Sequence, residues 1–271
     1  MLKDISIGQF FPGNSVIHKL DPRIKILLTV AFIVLLFIIK STDFLHLICF
    51  GVVFLYLILI IAVSKIPLKS ILKGVKPIIP LIIFTSLLNM LFINGETIWS
   101  FWIISISTEG IRLAIIMSVR IICLIVGASM LTYTTSPIDL TDAIERLFKP
   151  LKLIKFPVHE MAMMMTIALR FIPTLLEETD KIMSAQKARG ADMETGGLVK
   201  RAKALIPILI PLFVSAFRRA DDLSLAMECR CYQGGEGRTR MKILKLHLVD
   251  LWCVLFFALF MALIIFLNII L

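Results

Sequence analysis

Long apolar runs separated by short charged stretches dominate the first half of the chain and its last turns, and they predict membrane-crossing helices. Residues 251–271 read LWCVLFFALFMALIIFLNIIL without a charge, long enough at about 1.5 Å per residue to cross an apolar layer of roughly 30 Å. Residues 44–63 form a second run, uncharged apart from His46. Residues 26–39 are shorter and call for Lys25 and Lys40 to snorkel outward at their ends. Residues 78–93 and 111–131 complete five expected spans, the last with Arg120 inside its apolar stretch. Residues 1–20 lack an apolar signal-like core, so the first span itself is expected to direct insertion.

Between the fourth and fifth runs the pattern changes from uniformly apolar to amphipathic. After the polar TTSPID at 134–139, Leu140, Ile144, Leu147 and Phe148 fall on one helical stripe that ends near Pro150. Residues 158–189 predict a long helix with a kink at Pro173 and a stop at Gly190. The turn-rich GADMETGG follows, and residues 198–230 predict a second long helix through Pro207 and Pro211, ended by YQGGEGRTR. The expected organisation is a membrane domain over 1–133, a cytoplasmic helical domain over 134–247 and a terminal span over 248–271. The fold class is all-α, a polytopic membrane protein with about five spans and long cytoplasmic coupling helices.

Composition supports the membrane assignment, since 59% of the 271 residues are hydrophobic and the mean hydropathy is +0.95. Charge then sets the topology. Of 29 Lys and Arg residues, 26 lie before the first span, between the second and third, or between Arg146 and Lys245, whereas the 94–110 loop has none. The positive-inside rule puts those three regions and the N-terminus in the cytoplasm and the C-terminus outside. A basic cytoplasmic face suits anionic lipid or an acidic protein partner, and charge alone does not choose between them. Nucleic acid is the least favoured partner, since interleaved aromatic residues and any binding module are lacking, and none is expected.

Chemistry-bearing motifs are scarce. Five cysteines, mostly within spans, suggest no disulfide framework. GGEGRTR lacks the G-x-x-x-x-G-K-[ST] spacing, so this chain is not expected to hydrolyse ATP itself, and no catalytic residue or cofactor is expected. His159-Glu160 is followed by Met163 where a zinc-binding H-E-x-x-H would need histidine. Arg112 and Arg120 are candidates for either a functional or a paired structural role within the bilayer. Met161, Met163, Met164 and Met165 suit either a surface that accepts several partners or ordinary core filling. Asp21 and Pro22 read as N-cap and first residue of the first span.

The two long helices each end on an arginine, Arg189 in AQKARGAD and Arg230 in AMECRCYQGG. Consecutive helices that pack antiparallel or cross place these ends tens of ångströms apart, so the pair cannot form one active site but can serve as two anchors. Each arginine also complements the negative end of its helix dipole, which by itself accounts for a simple C-cap charge.

The tripeptides Ala188-Arg189-Gly190 and Cys229-Arg230-Cys231, together with FFPGNSVIHKLDPRIK at 10–25, ALRFIPTLLEE at 168–178 and SAFRRADDLSLAMECRCYQGGEGRTR at 215–240, resemble the transmembrane T component of energy-coupling factor (ECF) transporters. The resemblance covers nearly the whole chain. It implies a complex in a prokaryotic plasma membrane with two cytoplasmic ABC ATPase subunits and a membrane S component that binds the substrate, a vitamin or other micronutrient. It further implies that Arg189 and Arg230 each enter a groove on one ATPase and meet acidic residues there. Cys231 departs from the glycine usual in the family, which bears on how the second helix ends. The rival readings are a stand-alone channel or secondary carrier, a membrane-embedded enzyme, and a dedicated cobalt or nickel importer subunit of the same family.

Overall fold

The computed structural model describes residues 10–40, 46–93, 97–101, 104–191, 197–235 and 246–270. They divide into two units, the described residues of 10–140 with 246–270, and those of 141–235.

The first unit opens with a short turn of helix, α1 (Val16–Lys19), capped by the Ser15 hydroxyl. Helix α2 (Pro22–Ile38) follows, with Asp21 as N-cap accepting from the Arg23 N–H at 2.9 Å and Pro22 at the first helical position, as the sequence predicts. Next come α3 (His46–Ser64) and a 25-residue helical stretch, Leu68–Phe92. Pro77 and Pro80 divide that stretch into α4 (Leu68–Val75), one 3₁₀ turn, and α5 (Ile79–Phe92). The loop without basic residues contains the one departure from an all-α fold among the described residues: an antiparallel hairpin of β1 (Thr97–Phe101) and β2 (Ile104–Ser107). Ser107 ends the hairpin and N-caps α6 (Thr108–Thr134) through the Gly110 N–H. Helix α7 (Pro137–Leu147) runs across the boundary between units, and α10 (Leu248–Ile270) closes the first.

Helices α3, α6, α10 and the α4–α5 stretch are each long and apolar enough to cross a membrane. Helix α2, the first expected span, has 17 residues, about 25 Å, at the lower end of the spanning range. The core lies between α2, α3, α6 and α10, where Leu35, Leu36, Phe50, Val53, Cys123 and Ile264 are fully buried. Tyr56 stacks on Phe260 with ring centroids 4.1 Å apart, and Gly127 lets α6 approach the Phe32 ring so closely that any Cβ would collide with it. Large apolar side chains also cover the outside, among them Phe37, Leu55, Phe92 and Trp252. Such a surface is costly in water and favourable against acyl chains.

Polar groups inside this unit cap helix ends. Lys25 does not snorkel outward as its position suggests. It is buried (6% exposed), and its ammonium donates to the carbonyl oxygens of His18 at 3.1 Å and Thr134 at 2.9 Å, the latter at the C-terminus of α6. Asp250, 2% exposed in the first turn of α10, accepts from the Asp21 N–H at 2.9 Å and the His247 N–H at 2.7 Å. These bonds tie α1, α2, α6 and α10 together at one end. At the other, Arg120 donates to the Ile39 carbonyl at 2.7 Å and stacks over Phe50, while the Asn268 carboxamide oxygen accepts from the Lys40 N–H at 3.1 Å. Arg120 is thus a structural group that satisfies the orphan end of a short helix, in a medium without water to do so.

Removing the Asp250 carboxylate strands two backbone donors and strips Lys25 of a nearby counter-charge. Asp250→Ala is expected to cost about 2–4 kcal/mol, seen as a lower thermal midpoint in detergent, with Asp250→Asn falling between the two.

Candidate partner-docking site

The second unit is built on two long helices, α8 (Val158–Ala188) and α9 (Leu198–Cys229). Their internal prolines, Pro173 in α8 and Pro207 and Pro211 in α9, leave both helices continuous. The pair is antiparallel. Glu178 accepts a hydrogen bond from Ser215 and pairs with the Arg219 guanidinium at 2.7 Å, and further along Gln186 donates to the Pro207 carbonyl at 3.4 Å. As the chain number falls on α8 it rises on α9.

At the far end, Gly235, just past α9, packs against the imidazole of His159 in the first turn of α8, where any Cβ would clash. His159 is itself held by Glu145 of α7 at 3.1 Å. Arg230 therefore belongs to the N-terminal end of α8 and Arg189 to its C-terminal end, separated by roughly 30–45 Å at 1.5 Å per residue. The sequence expectation of two distant arginines matches this geometry.

The Ser215 hydrogen bond and, after it, the Arg219 charge hold the Glu178 carboxyl below its ordinary range. A carboxyl lowered in the folded state adds stability above its unfolded value and loses it as pH falls through the folded one. The α8–α9 clasp is therefore fully formed near neutral pH and loosens only in acid. Glu178 and Arg219 were not singled out from sequence as a pair, although both lie within the segments ALRFIPTLLEE and SAFRRADD that carry the family resemblance.

Both helices end in the same way. After Ala188, Arg189 is the C-cap (φ −82°, ψ 4°), and Gly190 adopts a left-handed conformation at φ +85°. The Gly190 N–H bonds to the Lys187 carbonyl and the Ala191 N–H to the Gln186 carbonyl, each at 3.0 Å. After Cys229, Arg230 is the C-cap (φ −94°, ψ 14°), and Cys231 takes the left-handed position at φ +55°. The Cys231 N–H bonds to Glu228 at 2.8 Å and the Tyr232 N–H to Met227 at 3.1 Å. These are two copies of one Schellman turn. The cysteine that replaces glycine thus changes the strain of the second turn and not its shape.

Ala188, Arg189, Gly190, Cys229, Arg230 and Cys231 are all exposed. Neither arginine makes an ion pair or side-chain hydrogen bond among the described residues, so each guanidinium keeps its planar fork for a carboxylate. Of the methionine cluster, Met164 is exposed and Met161, Met163 and Met165 are half-buried. Met164 thus stands at the surface, and the other three are partly covered.

A Cβ in the left-handed region costs about 1–2 kcal/mol, partly offset by the greater chain entropy lost by glycine. Cys231→Gly is expected to stabilise the last turn of α9 by up to about 1 kcal/mol, read as slower amide hydrogen exchange at positions 231 and 232. Gly190→Ala is expected to speed exchange at 190 and 191.

Comparison with known proteins identifies the family. The family model described as CbiQ, cobalt transport protein, matches residues 13–242. The chain is 56% identical over 252 residues to the energy-coupling factor transporter transmembrane protein EcfT of Ruminiclostridium cellulolyticum, covering 92% of each. It is 54% identical to the protein of that name from Clostridium kluyveri, covering 91% of this chain and 90% of that one. The Lactococcus lactis protein of the same name is 48% identical, with 90% of each covered. Two matched helix-end arginines on an antiparallel pair, attached to a bundle of membrane-crossing helices, thus come with close sequence kinship across the whole fold, and the chain belongs to the CbiQ family as a transmembrane T component of the energy-coupling factor transporters.

Proposed function

We propose that this T component is the non-catalytic scaffold of an ATP-driven importer, in which Arg189 and Arg230 each dock one of two cytoplasmic ABC ATPase subunits. The repeated Schellman turn carries this reading. Two exposed guanidinium groups in nearly the same backbone setting, tens of ångströms apart, suit two similar partners and not one composite site. A groove lined with carboxylates on each ATPase would take the guanidinium in a two-pronged contact reinforced by the negative end of the helix. This requires the second unit to lie in the cytoplasm, with the N-terminus on the same side and the C-terminus outside, as the distribution of lysine and arginine favours.

Movement of the ATPases during ATP hydrolysis would shift both helix ends together. Helices α8 and α9, clasped through Glu178, Ser215 and Arg219, carry that displacement as a unit, with Pro173, Pro207 and Pro211 as the places where they can bend. The receiving partner is a membrane S component that binds a vitamin or other micronutrient and is tilted to release it inward. The name of the matching family model gives a specific reason to retain a second reading, a subunit dedicated to cobalt or nickel import.

The two-anchor scaffold is tested by affinity purification of the full chain with its co-expressed subunits, wild type beside Arg189→Ala, Arg230→Ala and the double variant. Loss of a desolvated arginine contact costs on the order of 2–4 kcal/mol. Each single variant is expected to lower ATPase recovery at least tenfold under stringent washing, and the double variant to abolish both recovery and ATP hydrolysis. Full assembly of the double variant would sink the proposal and return the arginines to simple helix caps.

A further inference from the structure

We infer that residues 148–156, between α7 and α8, form a membrane-surface anchor that inserts apolar side chains into an anionic leaflet. The segment reads FKPLKLIKF: three lysines, five large apolar residues and no acid. Every residue in it is exposed, and Leu153 and Ile154 are 90% and 80% accessible, within a run of five exposed large apolar side chains.

The exposure belongs to a formed structure. Residues Lys149–Ile154 make a 3₁₀ helix, and Lys155 in a left-handed conformation (φ 59°) closes it by donating its N–H to the carbonyls of Leu151 and Lys152. The Phe156 N–H also bonds back to the Leu151 carbonyl at 3.4 Å. The fold thus fixes the backbone and leaves the side chains of Leu153 and Ile154 without a cover inside their unit.

Three observations favour a bilayer over a protein as that cover. Net charge +3 with apolar residues between the lysines is the composition that pairs anionic headgroups with acyl chains. Lysine stems can lie along the apolar layer while the ammonium groups stay at headgroup level. The segment also begins only fourteen residues after Thr134, the last residue of the membrane-crossing α6, so chain connectivity keeps it close to a bilayer. The inference rests on the membrane placement of the chain and is independent of the ATPase contacts proposed above.

The test places p-benzoyl-phenylalanine at position 153 of the full-length chain, in membranes containing phosphatidylglycerol, and weighs the products of irradiation by mass spectrometry. The main product is expected to carry the added mass of one phospholipid. Replacing Lys149, Lys152 and Lys155 together by glutamine, or reconstituting in phosphatidylcholine alone, should lower that product at least threefold. A main crosslink to another protein subunit, no adduct at all, or a lipid adduct indifferent to both changes would overturn the anchor. ATPase co-purification from the same preparation separates loss of the anchor from loss of the assembled complex, and position 154 provides a second probe site should the label at 153 disturb folding.

Discussion

The buried ammonium of Lys25 holds together one end of the membrane unit. It donates to two backbone carbonyls, one of them at the last residue of α6, and lies in the field of Asp21, Asp139 and Asp250. Asp250 in turn takes the backbone N–H that begins the capping turn of α2. A lysine buried without partners would be strongly unfavourable, and one that neutralises a helix C-terminus among carboxylates is not. The same α10 that bears Asp250 also carries Phe257 and Phe260, whose rings pack against Tyr56 of α3 in the core.

The opposite end obeys the same requirement by other means. In hydrocarbon every backbone donor and acceptor needs a protein partner, and a short helix offers its unpaired carbonyls where water is absent. Arg120 and Asn268 supply partners from α6 and α10. That accounts for two polar residues in apolar runs without any transport pathway through them, and it weakens the stand-alone carrier as a reading.

Much of this was legible along the chain because it is local. Uncharged runs gave the spans, Asp21-Pro22 gave the start of α2, and the arginine-bearing ends of α8 and α9 fell within a residue of their expected places. The contacts that organise the spans were not legible. Asp21 with Asp250, Lys25 with Thr134 and Lys40 with Asn268 join residues between 109 and 229 positions apart, and no periodicity within one sequence encodes such pairs. Lys25 was misplaced for this reason, since a lysine at a span's edge ordinarily points to the headgroups. The β-hairpin escaped because its strands are only five and four residues long. The second arginine's turn was harder to read than the first because cysteine at a left-handed position goes against local preference, and only the hydrogen bonds show that it closes as glycine does.

The brevity of α2 bears on the lipid around it. Its two ends are fastened to α6 and α10, so it cannot adjust by sliding, and its outward row of Leu27, Val30, Val34 and Phe37 stands against acyl chains. At about 25 Å against a layer of roughly 30 Å, this face presents a hydrophobic mismatch that the bilayer itself has to absorb, by thinning locally at a cost of fractions of a kcal/mol per ångström. The bilayer is then thinner along that one side of the protein than around the longer α3, α6 and α10.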